Sequence, residues 1–219
     1  MPDAESWVGT TNFGLRKPNY VIIHHTAQNS TDQTLKTFTL PRTQVSAHYV
    51  IGKDGKVYHM LNDYLRAWHA GAGKWGNASD INSSSIGIEL DNNGFETFAE
   101  PQITSLMQIL TALKNTHGIP PANFIGHSDI APGRKVDPNA NFPWKKLAEN
   151  GFGLWPDSLL DSVPAAFVPA EALRIIGYDV KNLDFAIRSF KLHFIQNDIS
   201  PYLNEYDKQV LFNLYKKYL

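Results

Sequence analysis

Cysteine is absent from the 219 residues. No disulfide framework can hold this chain, and the absence suits an oxidising or a reducing compartment equally well. An excess of one charge is lacking too. Lys and Arg number 20 against 21 Asp and Glu, a formal net charge of −1, which gives no electrostatic reason to expect nucleic acid or an anionic membrane as partner. No apolar run approaches the roughly 20 residues of a membrane-spanning helix. The start, Met1-Pro2-Asp3-Ala4-Glu5, carries neither the basic nor the apolar region of an export signal. A His-Glu-x-x-His helix, the mark of many zinc peptidases, is missing as well. What is present is a 42% hydrophobic chain, enough for one domain with a sizeable core, or for a domain with a small appendage.

Punctuation along the chain divides it. Residues 1–18 read as an extended lead-in. Tyr20-Val21-Ile22-Ile23 is an apolar run of strand length, ending in His24. Ser30 or Thr31 can cap a helix that Pro41 ends near Leu40. Apolar-rich runs at 48–52 and 57–61 flank Lys53-Asp54-Gly55-Lys56, a hairpin signal. Residues 62–84 lack periodicity and read as a long loop. Glu89 interrupts the strand-like Ser85-Ile86-Gly87-Ile88-Glu89-Leu90. Ile103, Leu106, Met107, Leu110 and Leu113 recur at helical spacing between Pro101 and Gly118. A third apolar run, Phe124-Ile125-Gly126, ends in His127, and Pro143 to Asn150 forms a short helix closed by Gly151. Strands alternating with helices predict an α/β domain, a mixed central β-sheet flanked by helices, over residues 19–156. Prolines mark a linker at 157–168. A small three-helix domain at 169–219 follows, with helices at 169–176, 183–194 and 204–218. Leu183, Ile187, Phe190 and Phe194 form a stripe on the second, and Tyr206, Val210, Leu214 and Tyr218 on the third.

Three distant segments each offer one metal ligand: His24-His25, then His127 in Gly126-His127-Ser128-Asp129, then Asp137 in Arg134-Lys135-Val136-Asp137. Two imidazoles and one carboxylate leave the fourth tetrahedral position of Zn²⁺ open for water, which distinguishes catalytic zinc from structural zinc. Neighbouring strand residues face opposite ways, so only one of His24 and His25 can serve. Glu89 adds a carboxylate whose apolar neighbours raise its pKa while a nearby cation lowers it. Lys135 shares a face with Asp137 in an extended segment and so can point at the same site.

These residues also carry a resemblance. From about Asn19 to Trp155 the chain resembles the type 2 N-acetylmuramoyl-L-alanine amidases, zinc enzymes whose fold is shared with peptidoglycan recognition proteins and phage T7 lysozyme. Six motifs carry it in order: Val21 to Thr26, Val45 to Val50 ahead of Asp54-Gly55, Ala67-Trp68-His69-Ala70-Gly71, Ser85 to Leu90, Gly126 to Pro132, and Arg134 to Pro138 running into Phe142-Pro143-Trp144. Within the family the pattern is nearest the AmiD/AmpD branch. The helical stretch after residue 155 favours the AmiD type.

The resemblance implies one Zn²⁺ held by His24, His127 and Asp137. It implies Glu89 as general base and Lys135 as the stabiliser of the tetrahedral oxyanion, with His69, Trp68 and Arg134 contacting substrate. Family members that use a tyrosine in the hairpin strand have it where this chain has Ala47, which shifts the proton work to Glu89. The implied reaction is hydrolysis of the amide between N-acetylmuramic acid and L-alanine in peptidoglycan or muropeptides, the implied partner of a monomer that binds no nucleic acid. The C-terminal helices resemble a peptidoglycan-binding domain, although a helical cap packed on the first domain is an alternative reading. A wall-holding segment suggests the bacterial periplasm or cell envelope, with any outer-membrane anchor lying outside this sequence. A cytoplasmic enzyme that recycles anhydromuropeptides is the alternative, and a non-catalytic muropeptide-recognition module is the rival from another class.

Overall fold

In the computed structural model, residues 16–219 are described, and the expected lead-in falls mostly outside them. Five strands form one sheet in the order β3-β2-β4-β1-β5, with β1 at Tyr20–His25, β2 at Tyr49–Ile51, β3 at Val57–His59, β4 at Ser85–Leu90 and β5 at Phe124–Gly126. β2, β4, β1 and β5 run parallel, and the hairpin strand β3 is the antiparallel edge. The expected mixed sheet is present.

Alternation along the strands builds two cores. Val21 and Ile23 of β1 join Ile86, Ile88 and Leu90 of β4 on one face. There they meet Ile103, Leu106, Leu110 and Leu113 of α3, Glu100–His117. The predicted spacing places these residues on the buried side of that helix, and Gly118 ends it in a left-handed conformation, φ 68°. Ile22 and Ile125 point to the other face. Its cover comes from the C-terminal helices α6 (Pro169–Ile176), α7 (Leu183–Phe194) and α8 (Glu205–Lys217) through Leu173, Ile176, Phe190, Val210 and Leu214. The helices therefore share a continuous core with the sheet.

The first helix, α1 at Thr31–Thr39, begins as expected with Ser30 accepting from the Gln33 N–H. Two short helices depart from the sequence reading. Residues Ile81–Ser84 at the end of the supposed loop form α2, capped by Asp80. His127 opens a further helix, α4 at His127–Ile130, directly after β5. α5, Trp144–Glu149, matches the expectation. On α8 Val210 and Leu214 are buried as expected, but the stripe begins one residue later. Tyr206 is 57% exposed while Asp207 is buried, because Asp207 meets the buried Lys191 ammonium of α7 at 3.0 Å, and the pairing offsets part of the cost of burying both charges.

Core position sets the cost of substitution. Phe190→Ala removes a fully buried ring and is expected to destabilise by about 3–5 kcal/mol. Tyr206→Ala on the exposed side of α8 is expected to stay within about 0.5 kcal/mol. Urea denaturation of the two variants checks the pair.

Candidate active site

Parallel strands end together, and the crevice beyond their carboxyl ends is where α/β sheets bind ligands. His24 is the fifth residue of β1 and pairs in register with Glu89, the fifth residue of β4. Both therefore leave the same face near the same edge. His127 follows β5 immediately. Asp137 arrives by a loop tied to α4, where the Ser128 N–H donates to the Asp137 carbonyl at 2.8 Å.

The structure brings three ligand atoms together. His24 Nδ1 lies 2.9 Å from His127 Nδ1 and 3.1 Å from Asp137 Oδ2, and His127 Nδ1 is 2.9 Å from the same oxygen. Tetrahedral bonds of about 2.0–2.1 Å would space such atoms by roughly 3.3 Å. His127 Nε2 sits 3.1 Å from the Ala70 carbonyl. A carbonyl only accepts, so the neutral ring carries its proton there and turns a bare Nδ1 inward. A triangle of lone pairs and a carboxylate, all buried, is the arrangement that a divalent cation stabilises. His24, His127 and Asp137 thus fit a metal ion on their own geometry, and the donor set suits zinc.

Burial and charge tune these groups. Burial first, then the neighbouring His127, lowers the His24 pKa to about 4, against the hydrogen bond to Asp137. Burial pushes the Asp137 carboxyl up, but in the absence of a cation a proton on either inward Nδ1 makes His127 or His24 a donor to it, which holds the group well below the usual carboxylate range. Burial, helped by the charge of Asp137 and opposed by Lys135, raises Glu89 to about 8. Its Oε2 is buried with no hydrogen-bond partner among the described residues. A desolvated acid with an unpartnered oxygen beside a triad that fits a metal ion is suited to proton transfer.

A cleft of about 350 Å³ joins these groups. His24, Glu89, His127, Lys135 and Asp137 line it, as do Trp68, His69 and Arg134. All eight residues singled out in the sequence thus meet at one place. Trp68 presents 51% of its surface to solvent. Arg134 is tied back, donating to the Ala70 and Ala72 carbonyls at 2.7 Å each. His69 is buried with both ring nitrogens beside protein partners, His24 Nε2 at 3.0 Å and Ser85 Oγ at 3.2 Å. His25 points away from the triad and accepts the Asn139 N–H through Nδ1 at 3.1 Å.

A carboxylate two residues past His127 can orient that ring or cap the turn beneath it. The cap is present, with Gly126 N–H donating to Asp129 Oδ2 at 2.7 Å. The same carboxylate also accepts from the Tyr178 hydroxyl at 2.7 Å and from His193 Nδ1 at 2.8 Å. Both partners come from the C-terminal segment, and nothing in the local sequence around Asp129 signals them.

The Glu89 environment has a measurable consequence in the metal-free protein. The ordinary glutamate value is 4.5 and the folded one about 8, so the native state keeps a proton that the unfolded chain releases. Stability therefore falls as pH rises between those values. His24 works in the opposite sense, between about 4 and 6.5. From pH 6.5 to 8 the Glu89 loss should stand out. Chelator-treated protein is expected to lose thermal stability over that window, and Glu89→Gln to flatten the slope. A slope unchanged in the variant would rule out Glu89 as its source.

Comparison with known proteins follows the geometry. A family profile described as N-acetylmuramoyl-L-alanine amidase matches residues 14–140. AmiD of Escherichia coli is 35% identical over 207 aligned positions, covering 80% of this chain and 74% of AmiD. AmpD of the same organism, a 1,6-anhydro-N-acetylmuramyl-L-alanine amidase, is 36% identical over 104 positions, 48% of this chain and 57% of AmpD. Among solved structures, AmpDh3 from Pseudomonas aeruginosa superposes with a TM-score of 0.84 at 29% identity, over 100% of this chain and 98% of its own. AmiD in complex with anhydro-N-acetylmuramic acid-L-Ala-D-γ-Glu-L-Lys gives 0.83 at 29% identity, over 96% of this chain and 93% of AmiD. The chain belongs to the N-acetylmuramoyl-L-alanine amidase family, and it shares the fold of AmiD and of AmpDh3 along its length.

Proposed function

We propose that this chain, an amidase of the AmiD/AmpD type, hydrolyses the bond between N-acetylmuramic acid and L-alanine with one zinc ion held by His24, His127 and Asp137. The observation that carries the reading is the convergence of those three ligand atoms beside the unpartnered carboxyl of Glu89. The ion would polarise the scissile carbonyl and make water acidic enough to attack near neutral pH. Glu89 takes the proton of the attacking water and delivers it to the leaving amine. Its burial raises the carboxyl above the ordinary glutamate range, against the lowering that a bound cation would exert. Lys135, on the same cleft wall, faces the negative charge that develops on the carbonyl oxygen. Trp68, His69 and Arg134 border the groove in which the sugar and stem peptide lie.

For the C-terminal segment we propose a role in holding polymeric peptidoglycan. A second cleft of about 500 Å³ meets the first at Arg134 and is walled by Lys181, Asn182 and Phe185 on one side and Lys74 and Pro132 on the other. That continuity supports an extended substrate and an enzyme of the bacterial envelope. The AmpD likeness favours a second reading, a soluble anhydromuropeptide as substrate.

Digestion of purified sacculi and of a soluble anhydromuropeptide, read by mass spectrometry, tests both. Stem peptides beginning with L-alanine should appear, vanish with chelator and return with Zn²⁺. Cleavage of the soluble substrate alone would replace the envelope reading with the recycling one, and cleavage of neither by zinc-loaded protein would overturn the assignment. Glu89→Ala is expected to keep zinc and lose about 10²–10⁴ in rate. Lys135→Ala should lose about 10²–10³, and His127→Ala should lose both metal and turnover. Equal zinc loss in Glu89→Ala and His127→Ala would remove Glu89 from the role of base.

A further inference from the structure

The loop dipeptide His69-Ala70 touches the outer nitrogens of both histidines of the triad. His24 Nε2 lies 3.0 Å from His69 Nδ1, and His127 Nε2 lies 3.1 Å from the Ala70 carbonyl. One side chain anchors the pair, since Asn82 Oδ1 accepts the N–H of His69 at 3.0 Å and of Ala70 at 2.9 Å. We infer that His69 is a positioning residue of the metal centre, which accepts the Nε2–H of His24 and holds that ring with a bare Nδ1 aimed at His127 and Asp137. The inference rests on reading His24, His127 and Asp137 as metal ligands.

Each proton in this chain of contacts can be assigned from its far end. The Ile81 carbonyl has no hydrogen to give, so Ser85 donates its hydroxyl to it, at 2.6 Å. Ser85 Oγ then accepts the next contact, and His69 Nε2 donates at 3.2 Å. A neutral imidazole has one N–H, so His69 Nδ1 is bare and accepts from His24 Nε2. His24 is left with its lone pair on Nδ1. The direction of every bond follows from one backbone carbonyl, and it delivers the tautomer that a metal ligand requires.

The sheet is shaped to keep the ring there. Ser85, Gly87 and Glu89 alternate on the face of β4 that looks into the site. A Cβ at Gly87 would lie 2.4 Å from His69 Cγ and 2.6 Å from its Cδ2, so the bare backbone of this strand residue provides the seat for the imidazole. The ring then meets His24 edge-on, with centroids 5.1 Å apart. A residue needed only to touch substrate would not require a glycine beneath it, a serine at one nitrogen and a tethered backbone.

Zinc affinity, measured by competition with a chromogenic chelator, is the readout. His69→Leu should weaken zinc binding about 10–100-fold, the usual cost of removing an outer partner of a metal histidine. His69→Asn places a side-chain carbonyl oxygen near the position of Nδ1 and should recover most of that loss, which a purely packing role would not explain. Thermal midpoints of the metal-free variants report whether each folds. Long-range ¹H–¹⁵N spectra of the zinc-loaded wild-type protein give a check without mutation, and His69 should carry its proton on Nε2. Wild-type zinc affinity in His69→Leu, an Asn variant no tighter than Leu, or a proton on His69 Nδ1 would each overturn the inference. Retention of zinc by both His24→Ala and His127→Ala would instead overturn the ligand set on which it rests.

Discussion

The in-register pairing of β1 with β4 is the constraint on which the rest of the site depends. His24 stands opposite Glu89 because Tyr20 stands opposite Ser85, and the six pairs between them are fixed by hydrogen bonding along both strands. A slip of one residue would turn Ile23 into the site and His24 into the core under α3. The apolar pattern resists that slip from both sides of the sheet. Val21, Ile23, Ile86, Ile88 and Leu90 need the α3 face, and Ile22 needs the face covered by the C-terminal helices. Hydrophobic burial thus sets the position of His24 and Glu89 before any polar contact is made.

Once placed, the groups of the site divide into two electrostatic classes by what surrounds them. Asp137 is buried but meets two imidazole nitrogens, so its charge is favoured. Glu89 is buried at a similar depth, but one of its oxygens meets no donor, so its proton is favoured. Two carboxyl groups in one cleft are driven apart in acidity by their neighbours, Glu89 by burial and the charge of Asp137 and Asp137 by the two imidazoles. Lys135 moderates the second without pairing the first, since its charge opposes the rise at Glu89.

Much of this was legible in the chain. The ends of two apolar runs marked His24 and His127 and a break within a third marked Glu89, the Ser30 cap and Gly118 stop bounded two helices, and strand alternation limited the His24-His25 pair to one inward residue. The helix opened by His127 was not legible, because four residues are too few to show a period. Nor could a stripe on α8 distinguish Tyr206 from Asp207 as its first buried member, since the deciding partner, Lys191, lies on another helix. His69 shows the same limit in the site itself. Its neighbours Trp68 and Gly71 suggest an open loop, and only the fold brings it over Gly87 and against His24.

The C-terminal helices carry this argument one step further. A hydrophobic stripe says that a helix face is buried without saying against what, so an appended domain and a packed cap look alike in sequence. In the fold, Phe190 and Leu214 share a core with Ile22 and Ile125 of the sheet. Tyr178 and His193 both reach the carboxylate of Asp129. Asp129 in turn holds the N–H of Gly126, one residue before His127. The short helix that presents His127 is far below the length at which a helix is stable on its own. Its position must come from such contacts, and these bind it at one end to β5 and at the other to α7. Whatever the helices do for a polymeric substrate, they also hold in place one of the three residues proposed to bind the metal.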